Sequence, residues 1–292
     1  MRYNSAMADP DRGEAPSPDP GPGRRTLGRR GVLAAGGGSL LALGTAGWVL
    51  TPPSVVDRVR TRLGIAPDPF VPDAPEGEVR LERMTSQAMG GLDLFTAVPA
   101  GHGDGAGLPV VVVLHGSSAS AAQLQGFGLG RFVTAAVRAG APPFVLAGTD
   151  DGPAGWVPDG DVDPQRMLRD ELPRWLADRG YDAGRRALWG WSRGGYGALR
   201  FAVDEPGWAS ALALFSPALG PGDPVLDDLG ALADLPWGLW CGDWDPFHDG
   251  AVALADAAPV APDPHVGGDG GHTRVYWNDH TLEMLDWIAR RL

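Results

Sequence analysis

Residues Leu188 to Ala198 read L-W-G-W-S-R-G-G-Y-G-A and contain the pentapeptide Gly190-Trp191-Ser192-Arg193-Gly194. A serine with a glycine two positions away on either side can occupy a sharp, strained turn between a strand and a helix. Such a turn lifts the hydroxyl clear of a sheet and sets it at a helix N-terminus whose free N–H groups favour an oxyanion. The chain has 44 glycines, so the pattern alone has low specificity and its flanks decide. Arg186 to Trp189 suits a buried strand, and Tyr196 to Ala202 can continue as a helix as far as Pro206. Ser192 is therefore read as a nucleophile, against the alternative of an ordinary serine in a glycine-rich turn.

A serine hydroxyl becomes a useful nucleophile when a histidine takes its proton, and a buried carboxylate must orient that histidine. On an elbow of this kind the partners follow the serine in the order acid, then histidine. Four histidines lie downstream: His248, His265, His272 and His280. His272 follows Gly268-Asp269-Gly270-Gly271 and precedes a helical run, Tyr276 to Leu292, so its loop can carry the ring over a sheet edge. His280 falls inside that helix and suits a solvated face, with His265 and His248 held in reserve. For the acid, Leu235 to Cys241 reads as a strand and runs into Gly242-Asp243-Trp244-Asp245-Pro246-Phe247. Pro246 biases Asp245 towards extended backbone at a turn, which favours Asp245 over Asp243. Asp243, Asp245, His248 and Asp249 could instead form a solvated turn; their spacing fits no structural zinc or calcium loop.

An oxyanion needs two backbone donors. Arg193 supplies one as the residue after the nucleophile. The run Val110 to Leu114 is the clearest buried strand and leads into His115-Gly116-Ser117-Ser118-Ala119-Ser120, from which Ser117 is the expected second donor, with Ser118 as the alternative. His115 precedes the serine in the chain, so it is expected to order this loop beside the substrate, not to act as the base.

Together these segments resemble the esterase D branch of the α/β-hydrolases, which includes S-formylglutathione hydrolases, feruloyl and acetyl-xylan esterases and mycolyltransferases. The resemblance rests on V-V-V-V-L-H-G-S, G-W-S-R-G-G-Y-G-A-L, F-S-P-A-L at Phe215 to Leu219, C-G-D-W-D-P-F, and G-G-H-T followed by Trp277. It spans roughly residues 78 to 292 and implies ester hydrolysis or acyl transfer without a cofactor. Relatives usually carry Met after the nucleophile. Arg193 stands there instead, either favouring an acidic or polar acyl substrate or pairing with a carboxylate. Trp156 falls where related esterases often place an aromatic in the substrate cleft, with core packing as the alternative.

The first 77 residues differ in character. Residues 8 to 23 are rich in Pro, Gly and Asp and are expected to be disordered. Arg29-Arg30 precedes an apolar, glycine- and alanine-rich run from Gly31 to Leu50, resembling a twin-arginine export signal. That run of about 20 residues could span a bilayer if uncleaved, leaving membrane association through residues 31 to 50 open. Residues 51 to 77 read as a linker. The remainder is ample for one α/β domain. A formal net charge of −12 and a pI near 4.8 argue against nucleic acid as a partner. The lone cysteine, Cys241, is expected to pack at a strand end.

Two antiparallel strands, Glu78 to Met84 and Leu92 to Val98, should open the domain. Strands near Val110 to Leu114, Phe144 to Ala147, Arg186 to Trp189, Ala211 to Phe215 and Leu239 to Cys241 follow, with helices between. The best-marked helix runs from Pro164 to Arg179, with Asp163 as N-cap, Pro164 at the first position and Gly180 as a stop. This alternation predicts an α/β-hydrolase fold: a mostly parallel sheet, helices on both faces and catalytic loops at the carboxyl ends of the strands. About 20 residues separate the last two of these strands, too few for a large lid. The expected function is an exported serine hydrolase acting on a small-molecule, polysaccharide or lipid ester. The rivals are acyl transfer to a sugar or lipid hydroxyl and a non-catalytic envelope module.

Overall fold

The computed structural model describes residues 68–292. The disordered segment, the signal and the apolar run expected before residue 51, with most of the expected linker, lie outside the described residues.

Eight strands form one sheet in the order β1-β2-β4-β3-β5-β6-β7-β8. They are β1 (Val79–Ser86), β2 (Gly90–Ala97), β3 (Pro109–Leu114), β4 (Val145–Thr149), β5 (Asp182–Trp191), β6 (Leu212–Phe215), β7 (Trp237–Trp240) and β8 (His265–Val266). The first two pair antiparallel, and β2 pairs antiparallel with β4. From β4 through β8 every neighbouring pair is parallel. Burial follows this arrangement. Every residue of β3 is buried, because both faces of a parallel strand are covered and an unbroken Val/Leu run satisfies both. At the edge, β1 buries only Ser86 and exposes half of its eight residues. The two-residue β8 was not anticipated, since His265 and Val266 carry no strand signal apart from their pairing with Leu239 and Trp240.

The helices are α1 (Leu129–Arg138), α2 (Pro164–Arg166), α3 (Leu172–Asp178), α4 (Arg193–Asp204), α5 (His248–Ala257) and α6 (Arg274–Ala289). Against one sheet face, α1 and α6 bring Phe132, Val133, Leu285 and Ile288 onto Val111, Val113 and Phe215. On the other, Leu172, Leu176, Leu199 and Leu254 meet Val110, Val112, Leu188 and Leu239. The single helix expected from Pro164 begins as predicted, with Asp163 accepting from Arg166 N at 2.8 Å. It then widens into a π-turn, Met167–Glu171, where Leu172 N donates to Met167 O five residues back. Pro173 explains the widening, because it has no N–H to continue the ordinary ladder. The buried carboxylate of Glu171 accepts from Gln87 N and Ala88 N, both at 3.1 Å, and so ties this helix to the β1–β2 turn.

Between β6 and β7 lie only two short 3-10 turns, Pro224–Asp227 and Gly230–Ala233, and no lid is inserted there. On the linker side of the expected boundary, residues 70–77 pack on the domain. Asn278 Nδ2 donates to Phe70 O at 2.7 Å, and Arg131 Nε donates to Ala74 O at 3.0 Å.

Candidate active site

Ser192 joins β5 to α4 with φ 56° and ψ −124°, a left-handed backbone that a side chain rarely adopts. Three hydrogen bonds hold it there. Ser192 N donates to Phe215 O at 2.9 Å, and Ser192 O accepts from Tyr196 N and Ala218 N, each at 3.0 Å. The flanking glycines are required by close approach. A Cβ on Gly190 would lie 2.2 Å from Gly194 O, and one on Gly194 would lie 1.9 Å from Leu114 O. Two small residues thus let the first turn of α4 press onto the ends of β3 and β5.

The Ser192 hydroxyl lies 2.8 Å from His272 Nε2. On its other side, His272 Nδ1 lies 2.9 and 3.1 Å from the two carboxylate oxygens of Asp245. The carboxylate accepts a hydrogen bond from Nδ1–H, which leaves Nε2 as the acceptor facing the serine. The Asp245 side chain has no exposure, and it also accepts from Phe247 N at 2.9 Å. Gly242 permits this meeting, because a Cβ there would sit 2.3 Å from Gly270 O and push the two loops apart. Asp243 is exposed and accepts instead from Gly268 N at 2.9 Å. Of the other downstream histidines, His248 begins α5, His265 lies in the edge strand, and His280 bonds Glu283 on α6 at 2.9 Å. No group of three or more possible metal ligands occurs among the described residues.

A further support for the imidazole comes from two regions the sequence reading marked but did not connect. Trp277 packs edge-on against His272 with ring centroids 4.9 Å apart, and Phe247 does so at 5.1 Å. Trp277 Nε1 donates to Ser216 Oγ at 3.0 Å. Ser216 itself has φ 45° at the end of β6. That positive φ in a non-glycine residue has no signal in the sequence, so Ser216 could not be singled out as the anchor of Trp277.

The loop after β3 passes beside the nucleophile, where a Cβ on Gly116 would lie 3.2 Å from Ser192 Cβ. Ser117 and Ser118 are exposed, and Ser117 N donates to no acceptor among the described residues. Arg193 N, the first of α4, has no intrahelical acceptor. The Arg193 side chain does not extend freely into the site. It pairs with Asp151, and Gly155 leaves it room. Burial raises the Asp151 carboxyl above its ordinary range, while His115 and Arg193 pull it back down.

His115 and Trp156 are placed differently from a substrate-lining role. Both are buried, Trp156 at 1% exposure, and Trp156 Nε1 donates to His115 O at 2.9 Å. The indole wedges against Gly197 of α4, where a Cβ would meet Trp156 Cβ at 2.1 Å. His115 Nδ1 lies 2.9 Å from Gly116 O. Both residues thus brace the loop and α4 from beneath. Cys241 is buried where β7 ends, and burial, reinforced by the nearby Asp245 charge, pushes its thiol up to about 12.

The sheet order, the strand–serine–helix elbow and the loops at the carboxyl ends of the parallel strands define an α/β-hydrolase fold. A family model described as "Putative esterase" matches residues 86–265, and the chain belongs to that esterase family. Solved structures agree in fold. A ferulic acid esterase is 18% identical, with 75% of this chain and 100% of that chain covered at a TM-score of 0.65. The S-formylglutathione hydrolase from Agrobacterium tumefaciens is 18% identical, with 76% and 98% covered at 0.58. A mutant of the feruloyl esterase module from Clostridium thermocellum complexed with sinapinate is 14% identical, with 78% and 93% covered at 0.62. A search of curated proteins returns no match.

Proposed function

We propose that the chain is an exported serine hydrolase that cleaves carboxylic esters through Ser192, His272 and Asp245. The observation that carries this reading is the continuous hydrogen-bonded path from the buried Asp245 carboxylate through both nitrogens of His272 to the Ser192 hydroxyl. Ser192 Oγ attacks the ester carbonyl as its proton passes to His272 Nε2. Backbone N–H groups of Ser117 and Arg193 take the oxyanion, each donor contributing about 3 kcal/mol of transition-state stabilisation. Collapse expels the alcohol, which receives the proton from His272. Water then attacks the acyl-enzyme, again deprotonated by His272, and the acid leaves with Ser192 restored. No cofactor enters these steps, and the partner is an ester substrate, not a nucleic acid.

Export rests on Arg29-Arg30 and the apolar run after them, which also leave membrane association through residues 31–50 as a reading of the sequence. No helix among the described residues is long and apolar enough to cross a membrane.

Labelling with a fluorophosphonate, followed by mass-spectrometric mapping, tests the chemistry. An adduct on Ser192 that disappears in His272→Ala supports an activated serine. A folded protein that takes up no label and turns over no ester overturns the proposal.

A further inference from the structure

Residues 150–156, which follow β4, take no part in the proposed reaction steps, yet they touch both segments that carry its oxyanion donors. They grip the loop after β3 at each end. Asp150 Oδ1 accepts from Ala121 N at 3.0 Å, and Trp156 Nε1 donates to His115 O at 2.9 Å. Ser117, the expected second donor, lies between these two grips. Asp150 Oδ2 also accepts from Asp93 N at 2.9 Å, which ties the start of the segment to β2. The rest of the segment is seated on the nucleophile helix. Gly152 and Gly155 exchange two backbone hydrogen bonds of 2.9 Å and so close a tight turn. Gly155 has φ 80°, and a Cβ there would lie 2.6 Å from Arg193 Cδ. The Arg193 stem thus lies against this turn while its guanidinium pairs with Asp151. The side chains of the pair are only 32% and 13% exposed, so solvent screens it less than a surface ion pair. Arg193 Nε is buried and meets no acceptor among the described residues, which leaves Asp151 to hold the guanidinium.

We infer that Asp151 is a positioning residue of the proposed hydrolase: by holding the Arg193 guanidinium it seats residues 150–156 on the nucleophile helix, and so sets the Ser117 N–H at its working distance from the Arg193 N–H. The inference rests on the esterase reading. The Arg193 N–H needs no such help, since α4 and the three backbone hydrogen bonds of Ser192 fix the elbow. The donor loop belongs to no strand or long helix, and its place relative to the elbow passes through Trp156 and Asp151. Oxyanion donors act in the transition state and little in the ground state, so a displaced donor lowers kcat and spares KM.

The test measures turnover of 4-nitrophenyl acetate by the full chain, divided by the Ser192 sites that a fluorophosphonate titrates to completion, so that misfolded protein is not counted. Asp151→Ala and Arg193→Met, the second of which keeps the backbone donor, should each lower kcat by about 10–100-fold with KM within about threefold. The double variant should fall no further than either single one, because both break the same contact, and Arg193→Lys should recover part of the loss. A trifluoromethyl ketone adds to Ser192 and leaves an oxyanion between the donors, so its affinity should weaken by the same factor as kcat. An unchanged kcat per titrated site, a loss confined to KM, or a ketone affinity that holds while kcat falls overturns the inference and leaves the esterase reading standing. Wild-type protein that takes no label and turns over no ester removes the esterase reading, and this inference with it.

Discussion

At the residue scale, the division of labour among polar groups is set by burial. Asp245 and Asp243 are two residues apart, yet one carboxylate is enclosed against His272 and the other is exposed against Gly268 N. Asp245→Asn should therefore lower kcat by about 10⁴-fold with the fold intact, because an amide stabilises the wrong imidazole tautomer. Asp243→Asn should cost less than about tenfold, and steady-state kinetics on one ester separates the two. Ser216→Ala removes the acceptor of the Trp277 indole. It should lower stability by about 1–2 kcal/mol in urea titration, and it should lower kcat more than it raises KM, since Trp277 steadies His272. The three proposed catalytic side chains were legible because their chemistry leaves marks in local sequence: glycines around a serine, glycines before a histidine, and a proline after an aspartate. Ser216 was not, because a positive φ exists only in three dimensions. Trp156 shows the opposite limit. Its position along the chain suggested a cleft, but the space left by Gly197 on another element draws it into the core.

At the scale of elements, the site is built by close approaches that only glycine allows. Gly197→Ala places a methyl group 2.1 Å from Trp156 Cβ, which should cost about 1–3 kcal/mol through displaced packing. Thermal unfolding of the variant measures that cost, and an unchanged midpoint would refute the account of α4 resting on Trp156. The strands that carry long apolar or alternating runs were readable in sequence, β3 most of all, because burial on both faces demands such residues. The helix from Pro164 was readable at its start, where Asp163 and Pro164 act locally, but not in its middle. There Pro173 removes one donor and the chain finds a five-residue hydrogen bond in its place. The edge strand β8 was invisible for a related reason: two residues acquire strand character only from a neighbour that the sequence does not place beside them.

At the scale of the whole molecule, two buried titrating groups shape behaviour in alkali. Burial moves the Cys241 thiol from an ordinary 9 to about 12 and raises the Tyr276 phenol as well. Both pKa values are higher folded than unfolded, so the unfolded chain releases these protons first. Their stabilising contribution is complete below pH 9 and should diminish as pH climbs from about 9 towards 12. Urea midpoints across that range should fall accordingly, with Cys241→Ala showing a shallower decline. At pH 8 the folded protein should not react with a disulfide reagent, and it should become reactive on unfolding. As Cys241 is the sole cysteine of the chain, an inert native thiol has a practical corollary. A single cysteine introduced at an exposed position such as Ser117 or Trp244 would accept a maleimide dye without any background substitution. The wild-type protein is already a clean labelling scaffold, on which the loops around the proposed nucleophile can be watched by fluorescence while a substrate arrives and leaves.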